Sequence, residues 1–376
     1  MLHPVVPKTP LVLVFALGLG ALAASSLGCG ANDGQGPSVA TSSATPSAVP
    51  RTCEAGTMPS LASGTCEPVG PTCAAGFEAS ESGWGCSPVL PTAACTGATR
   101  AVLGETSCVP VDDCAAAFPP KNAAAVVHDD ASLKSALASV GDGSTIALDS
   151  GTYGGIEVPA DFRTLHLVGR CADKVKIKGG ATGRGVYVTS IVKVSLESMT
   201  IEGFEGGIVA AWGADVTASK IVVRDARLGL SAGGDAAKLS VKDSVVEMTR
   251  PAPAGTPGNA VSAQKTGAVT LESSDVRGYD TFVSAYEAGT KVVARRSVFT
   301  YAGSVTNTSK VMALASCDIT FEESALRFRS GRFAFVARDL PGIAATTTSA
   351  GGNLHFKSST VTHAGAELDG DRKSVV

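Results

Sequence analysis

The chain has 376 residues, a net charge of −3 and 17% charged residues, against roughly 25% in an ordinary globular protein. A nearly neutral chain with no basic run lacks the electrostatic footprint of a nucleic-acid binder, and 44% hydrophobic residues exclude wholesale disorder. Length alone allows two or three domains.

The N-terminus reads as an export signal. Lys8 is the one charge in the first ten residues, and an apolar run follows from Leu11 to Ala24. That run is too short to span a bilayer and fits a secretory h-region. Ser-Ser-Leu-Gly-Cys then ends at Cys29 and resembles a bacterial lipobox, in which the cysteine is acylated. Ser26 stands where that pattern usually has Leu, so the alternative is ordinary cleavage near Ala21-Leu22-Ala23. Gly30 after the cysteine resembles the signal for transfer to the outer membrane. The reading is a signal peptide over 1–28, a membrane partner reached through lipid on Cys29, and a location in the cell envelope or outside the cell. Residues 29–51 are rich in Gly, Ser, Ala, Thr and Pro. They read as a flexible linker with a typical span of about 25 Å.

Residues 52–114 repeat three times. Cys53 and Cys66, Cys73 and Cys86, and Cys95 and Cys108 share one spacing, and each second cysteine is followed by x-Pro-Val. In an exported chain this reads as one disulfide per repeat, each closing a short loop and contributing on the order of 3 kcal/mol. Units this small have almost no core and need such staples. Six cysteines also allow pairings across repeats. Zinc would want closer cysteines or histidine, so neither a metal site nor a cofactor is expected. The segment reads as a stiff stalk or, through Phe77 and Trp84, as a binding module. Cys114 and Cys171 flank the next domain and form a candidate bridge. Cys317 is then left as a small buried thiol.

Residues 131–140 carry Leu133, Ala136, Leu137 and Val140 on one helical stripe, ended by Gly141-Asp-Gly. Beyond them a phrase recurs at 196–201, 217–222, 241–246, 271–276, 294–299, 321–326 and 356–361. It runs apolar, polar over two or three residues, then apolar; Val-Lys-Asp-Ser-Val-Val at 241–246 is typical. Short strands with a period near 22–24 and no intervening helix indicate a β-solenoid. Residues 145 to 363 then make roughly nine turns, about 40 Å long at the spacing of neighbouring strands.

The opening SLKSALASVGDGSTIALDSGTYGG, followed by LHLVGR, resembles the start of a right-handed parallel β-helix of the pectin-lyase-like class. The chain also resembles bacterial lipoproteins that join Cys-rich repeats to such a helix. The resemblance covers 128–365, leaving 366–376 as a tail, and implies an all-β fold whose N-terminal helix caps the first turn. It brings no catalytic residue with it. Asp-Asp occurs only at 112–113 and 129–130, Gly-His-Gly is absent, and the pectate-lyase, pectin-methylesterase and epimerase patterns are absent.

The remaining charged clusters are Arg224, Asp225 and Arg227, and Arg277 with Asp280. Neighbouring turns place Asp225 near Asp243 or Arg250. These read as a solvated outer face, and His166, His355 and His363 as surface or turn residues. Tyr187, Trp212, Tyr279, Tyr286 and Tyr301 are nearly all the rings available to stack on a sugar. The function expected is a non-catalytic surface for a polysaccharide or a surface protein. The alternative is a polysaccharide lyase or hydrolase.

Overall fold

The computed structural model describes residues 54, 57–59, 65–68, 73–79, 86–250, 258–301, 308–314, 316–328, 332–338 and 352–363. The expected signal peptide, Cys29, the linker, Cys53, Trp84 and the 366–376 tail lie outside them. The chain divides into two units, Met1–Ala48 and Val49–Val376, and the description concerns the second.

Three parallel sheets build a right-handed β-helix. Among the described residues sheet I has ten strands, sheet II nine and sheet III eight. One turn takes a strand from each in order, for example Lys193–Glu197, Thr200–Glu202 and Gly206–Ala211. The next turn stacks on it in register, Val194 on Val216 and Leu196 on Ala218. Alternation turns every second residue inward. Those residues form one continuous core from Val127 to Phe328, with Ile201, Val223, Val246, Val276, Phe299 and Leu326 stacked in line.

The repeated phrase is the corner between sheets I and II. At each corner one residue takes left-handed backbone: Asp243 (φ 50°), Ser273 (φ 47°), Arg296 (φ 46°) and Glu323 (φ 47°). Met199 and Ile221 follow the left-handed Ser198 and Lys220, but after these four the next residue is a fully buried serine: Ser244, Ser274, Ser297 and Ser324. Its hydroxyl donates to the carbonyl two residues back, Ser297 to Arg295 at 2.8 Å and Ser324 to Glu322 at 2.9 Å. The same oxygen accepts from the turn before, Ser274 N–H to Ser297 Oγ at 3.2 Å and Ser297 N–H to Ser324 Oγ at 3.2 Å. A sharp corner inside a core strands backbone groups that water cannot reach, and the serine column satisfies them.

The first turn is closed by helix α1, Asp130–Ser139. Asp129 accepts from Ser132 N–H at 2.7 Å while Ser132 Oγ accepts from Asp129 N–H at 3.1 Å, a reciprocal cap. Those hydrogen bonds, first the Ser132 hydroxyl and then its N–H, hold the Asp129 carboxyl below its ordinary value. Leu133 and Ala136 enter the core. Beneath the helix, Tyr153 Oη lies 2.9 and 2.8 Å from the Val127 and Asp149 carbonyls, and burial pushes its hydroxyl up to about 12. No helix among the described residues is long and apolar enough to cross a membrane.

Each cysteine repeat is a two-stranded antiparallel hairpin, Thr57–Pro59 with Cys66–Pro68, Phe77–Ala79 with Cys86–Pro88, and Thr99–Arg100 with Val109–Pro110. Cys73–Cys86 and Cys95–Cys108 are disulfides with Cα atoms 5.7 and 5.6 Å apart, and Cys114–Cys171 is a third at 5.2 Å. Cys66 is also disulfide-bonded. Cys317 is a free, buried thiol 3.3 Å from the Ala285 carbonyl.

The serine column makes a direct prediction. Ser297→Ala leaves the Arg295 carbonyl and the Ser274 N–H without their partner and should lower stability by about 1–3 kcal/mol. The midpoint of urea denaturation, compared with that of Ser240→Ala on the exposed face of sheet I, measures it.

Candidate binding faces of the solenoid

From Cys86 to Cys114 the cysteine-rich segment lies lengthwise on the outer face of sheet II, so this part is not a free-standing stalk. It runs against the direction of winding. Thr360 Oγ1, in the last described turn, donates to the Cys86 carbonyl at 3.0 Å. Mid-solenoid, Arg100 meets Asp243 at 3.0 Å and Arg277 reaches the Thr99 carbonyl at 3.2 Å. Near the first turn, Cys114 bonds Cys171. Apolar packing supports the polar contacts: Val111 and Ala172 bury Val222 and Val245, with Ala98 against them. Each buried valine contributes about 1.5–3 kcal/mol relative to exposure.

Along the outer face of sheet II runs a column of alternating charge whose Arg277 end lies under the third repeat. Lys178 meets Glu202 at 3.4 Å, and Arg224 meets Glu202 at 3.9 Å and Glu247 at 2.5 Å. Arg277 meets Glu247 at 2.7 Å and Asp275 at 2.9 Å. The sequence clusters therefore resolve into separate pairs. Arg224 and Arg277 share Glu247, a carboxylate that sequence reasoning did not single out. Arg227 pairs with Glu205. Asp225 accepts from Thr249 N–H at 2.7 Å and from Arg250 at 3.2 Å. The expected Asp225–Arg250 approach is present, whereas Asp243 sits at the corner with Arg100. Asp280 accepts from Gly258 N–H at 3.4 Å.

Sheet I turns a polar face outward. His166, Ser195, Thr217, Ser240, Thr270, Val293, Thr320 and His355 occupy one row. His166 and His355 stand at opposite ends of it, so they share no ligand, and His363 belongs to sheet II. His166 Nδ1 is 2.7 Å from Ser195 Oγ. Along its rim Glu322 meets Arg295 at 2.6 Å and Lys357 at 3.1 Å. Hydrogen bonds from Arg295 and then Lys357 hold the Glu322 carboxyl below its ordinary value.

Sheet III is different. Its inward residues, among them Ile208, Ala210, Leu230, Ala232, Val261 and Ala263, belong to the core. The outward row between them is Tyr187, Val209, Ser231, Ser262, Ser284 and Met312. A second outward row is Ala211, Gly233, Gln264 and Tyr286. The first row begins at Glu157, and the second is uncharged from Ala211 to Tyr286. Trp212 follows the Gly206–Ala211 strand at φ 54°, is 57% exposed, and packs over Gly234 of the next turn. Ile191, 86% exposed, neighbours Gly213 at the same corner. The Arg184 guanidinium stacks 3.9 Å from the centre of the Tyr187 ring. Of the five rings singled out in the sequence, Tyr279 and Tyr301 are core residues. The other three, Tyr187, Trp212 and Tyr286, sit on sheet III or its rim.

No protein family and no curated protein matches the chain. Among solved structures, an alginate lyase from Paenibacillus sp. str. FPU-7 aligns at TM-score 0.40 and 13% identity, over 63% of this chain and 99% of that one. Escherichia coli YbhC aligns at TM-score 0.34 and 12% identity, over 67% and 75%. Likeness this weak bears on neither substrate nor chemistry.

The apolar contact under the cysteine-rich segment is open to test. Val245→Asp sets a carboxylate against Val111 and Val222 and should destabilise the protein by more than about 2 kcal/mol. Trypsin should also cut after Arg100 faster than in the wild type, because the segment that carries that bond no longer lies against sheet II.

Proposed function

We propose that this is an exported, lipid-anchored protein of the bacterial cell envelope whose solenoid is a non-catalytic surface for a polysaccharide. The observation that carries the reading is the gathering of Tyr187, Trp212 and Tyr286 on one face. Tyr187 and Tyr286 lie four strands apart, about 19 Å at the usual strand spacing. Small side chains at Ser231, Gly233 and Ser262 separate them. Rings supply apolar area with a defined plane for sugar stacking, and a low floor between them admits an extended chain. The charged groups of sheet II support the same reading. They are engaged with one another in ion pairs, and Asp275 and Arg277 are covered by the third repeat. The disulfides support export, since such bonds persist in oxidising compartments. The lipobox-like run ending at Cys29 supports the tether, because acyl chains contribute about 0.8 kcal/mol per buried methylene.

Two measurements test this. Intact mass of the mature protein should show an acylated N-terminal Cys29, and Cys29→Ala should release the protein from membranes. Against a panel of polysaccharides the protein should retard migration of at least one in affinity electrophoresis without releasing product. Trp212→Ala and Tyr187→Ala should each weaken that binding about tenfold, with unchanged thermal stability. Product formation from any of the polymers would favour the lyase or hydrolase alternative.

A further inference from the structure

The seam between the third cysteine repeat and sheet II is polar at its centre. Arg100 reaches from the repeat to Asp243 Oδ1 at 3.0 Å and to the Ser273 carbonyl at 2.6 Å. The Ala101 N–H donates to Asp275 Oδ2 at 2.9 Å, and Arg277 Nη1 donates to the same oxygen at 2.9 Å. Asp275 is only 2% exposed. Its second oxygen, Oδ1, is buried and meets no protein partner among the described residues, and the same is true of Arg100 Nε. Arg277 and Glu247 face Asp275 from sheet II, and Arg100 faces it from the repeat, with Asp243 on the far side of Arg100. A half-satisfied carboxyl at the centre of a seam is costly when charged. Downstream of this seam the segment is bonded to the solenoid through Cys114–Cys171, while its described contacts upstream of Cys114 are non-covalent.

We infer that residues 86–113 form a clasp, hinged at Cys114, that loosens from sheet II when Asp275 ionises. Burial raises the docked carboxyl above its ordinary value, and Glu247 adds to this, while Arg277 and the Ala101 N–H oppose it. Lifting the segment returns Asp275 to water, where a carboxyl titrates near about 3.9. The docked state therefore binds the proton more tightly than the lifted state. Docking is complete below the ordinary carboxyl value and weakens as pH climbs through the docked one, by up to about tenfold per pH unit within that window. The proton goes to solvent, and no other bond changes. Lifting uncovers Val222 and Val245, so the loosened form presents an apolar stripe that the closed form hides.

The experiment is hydrogen exchange read by mass spectrometry on the full mature chain with its disulfides intact, from pH 4 to pH 8, corrected for intrinsic exchange. Protection of the amides at 97–103 should fall at least about tenfold across that range relative to core amides such as those of Leu228–Gly233. Asp275→Asn keeps the side chain's shape but cannot ionise, and should hold 97–103 equally protected throughout. Protection that is flat in the wild type, or an Asn variant with the wild-type slope, overturns the inference. If the Asn variant does not fold, the wild-type data decide. A slope confined to 97–103 supports the clasp, and a slope shared with the core amides overturns it.

Discussion

A chain that coils around its own core must turn three corners in every circuit without leaving a backbone group dry and unpaired. At the corner between sheets I and II this is met, in four consecutive turns, by one hydroxyl each. Ser244, Ser274, Ser297 and Ser324 each bond a carbonyl of their own turn, and where the stacking bond is seen they accept an N–H from the turn before. The left-handed residue in front of each serine makes the corner tight, and the serine makes it tolerable inside a core. In-register stacking of three sheets, and with it every outward row, depends on that corner recurring in the same place.

The architecture was legible because stacking imposes a period on the sequence. The helix expected at 131–140 is Asp130–Ser139, and the recurring phrases fall on the corners. What was not legible is which polar residues of the phrase face water. In Val241-Lys-Asp-Ser-Val-Val246 the lysine faces out, the aspartate takes the left-handed position, and the serine is buried. Composition cannot separate those three roles. A signal for the covered face was present but unused. Val222-Val223 and Val245-Val246 put apolar residues on both sides of a strand, whereas a strand with one wet face should alternate. That doubling marks where the cysteine-rich segment lies.

This cover reorganises the candidate site. Arg224 and Arg277 looked like outward charges available to a substrate. They are members of a column in which cations and carboxylates alternate from turn to turn, held through Glu202 and Glu247, and the third repeat covers Arg277. Buried ion pairs of this kind contribute little net stability, because desolvation offsets their attraction. They do penalise any register in which like charges stack. Attention therefore passes to sheet III, where Tyr187, Trp212 and Tyr286 are. Ring identity was readable in the sequence, but ring placement was not. Tyr279 and Tyr301 share the same residue type and sit in the core because their strands place them on the inward side of the pleat.

The backward course of the cysteine-rich segment has a consequence for the order of assembly. Its repeats leave the ribosome before the solenoid does, and each hairpin closes on itself within a few residues. Yet Cys86 contacts Thr360, 274 residues later. The surface that receives the segment is not complete until the last turns have wound. Non-local contacts of this range are the slow ones to form, and transiently uncovered apolar edges are prone to the wrong partner. Self-contained disulfide hairpins are well matched to that interval. They stay folded and soluble while waiting, so the final event of folding joins two finished pieces.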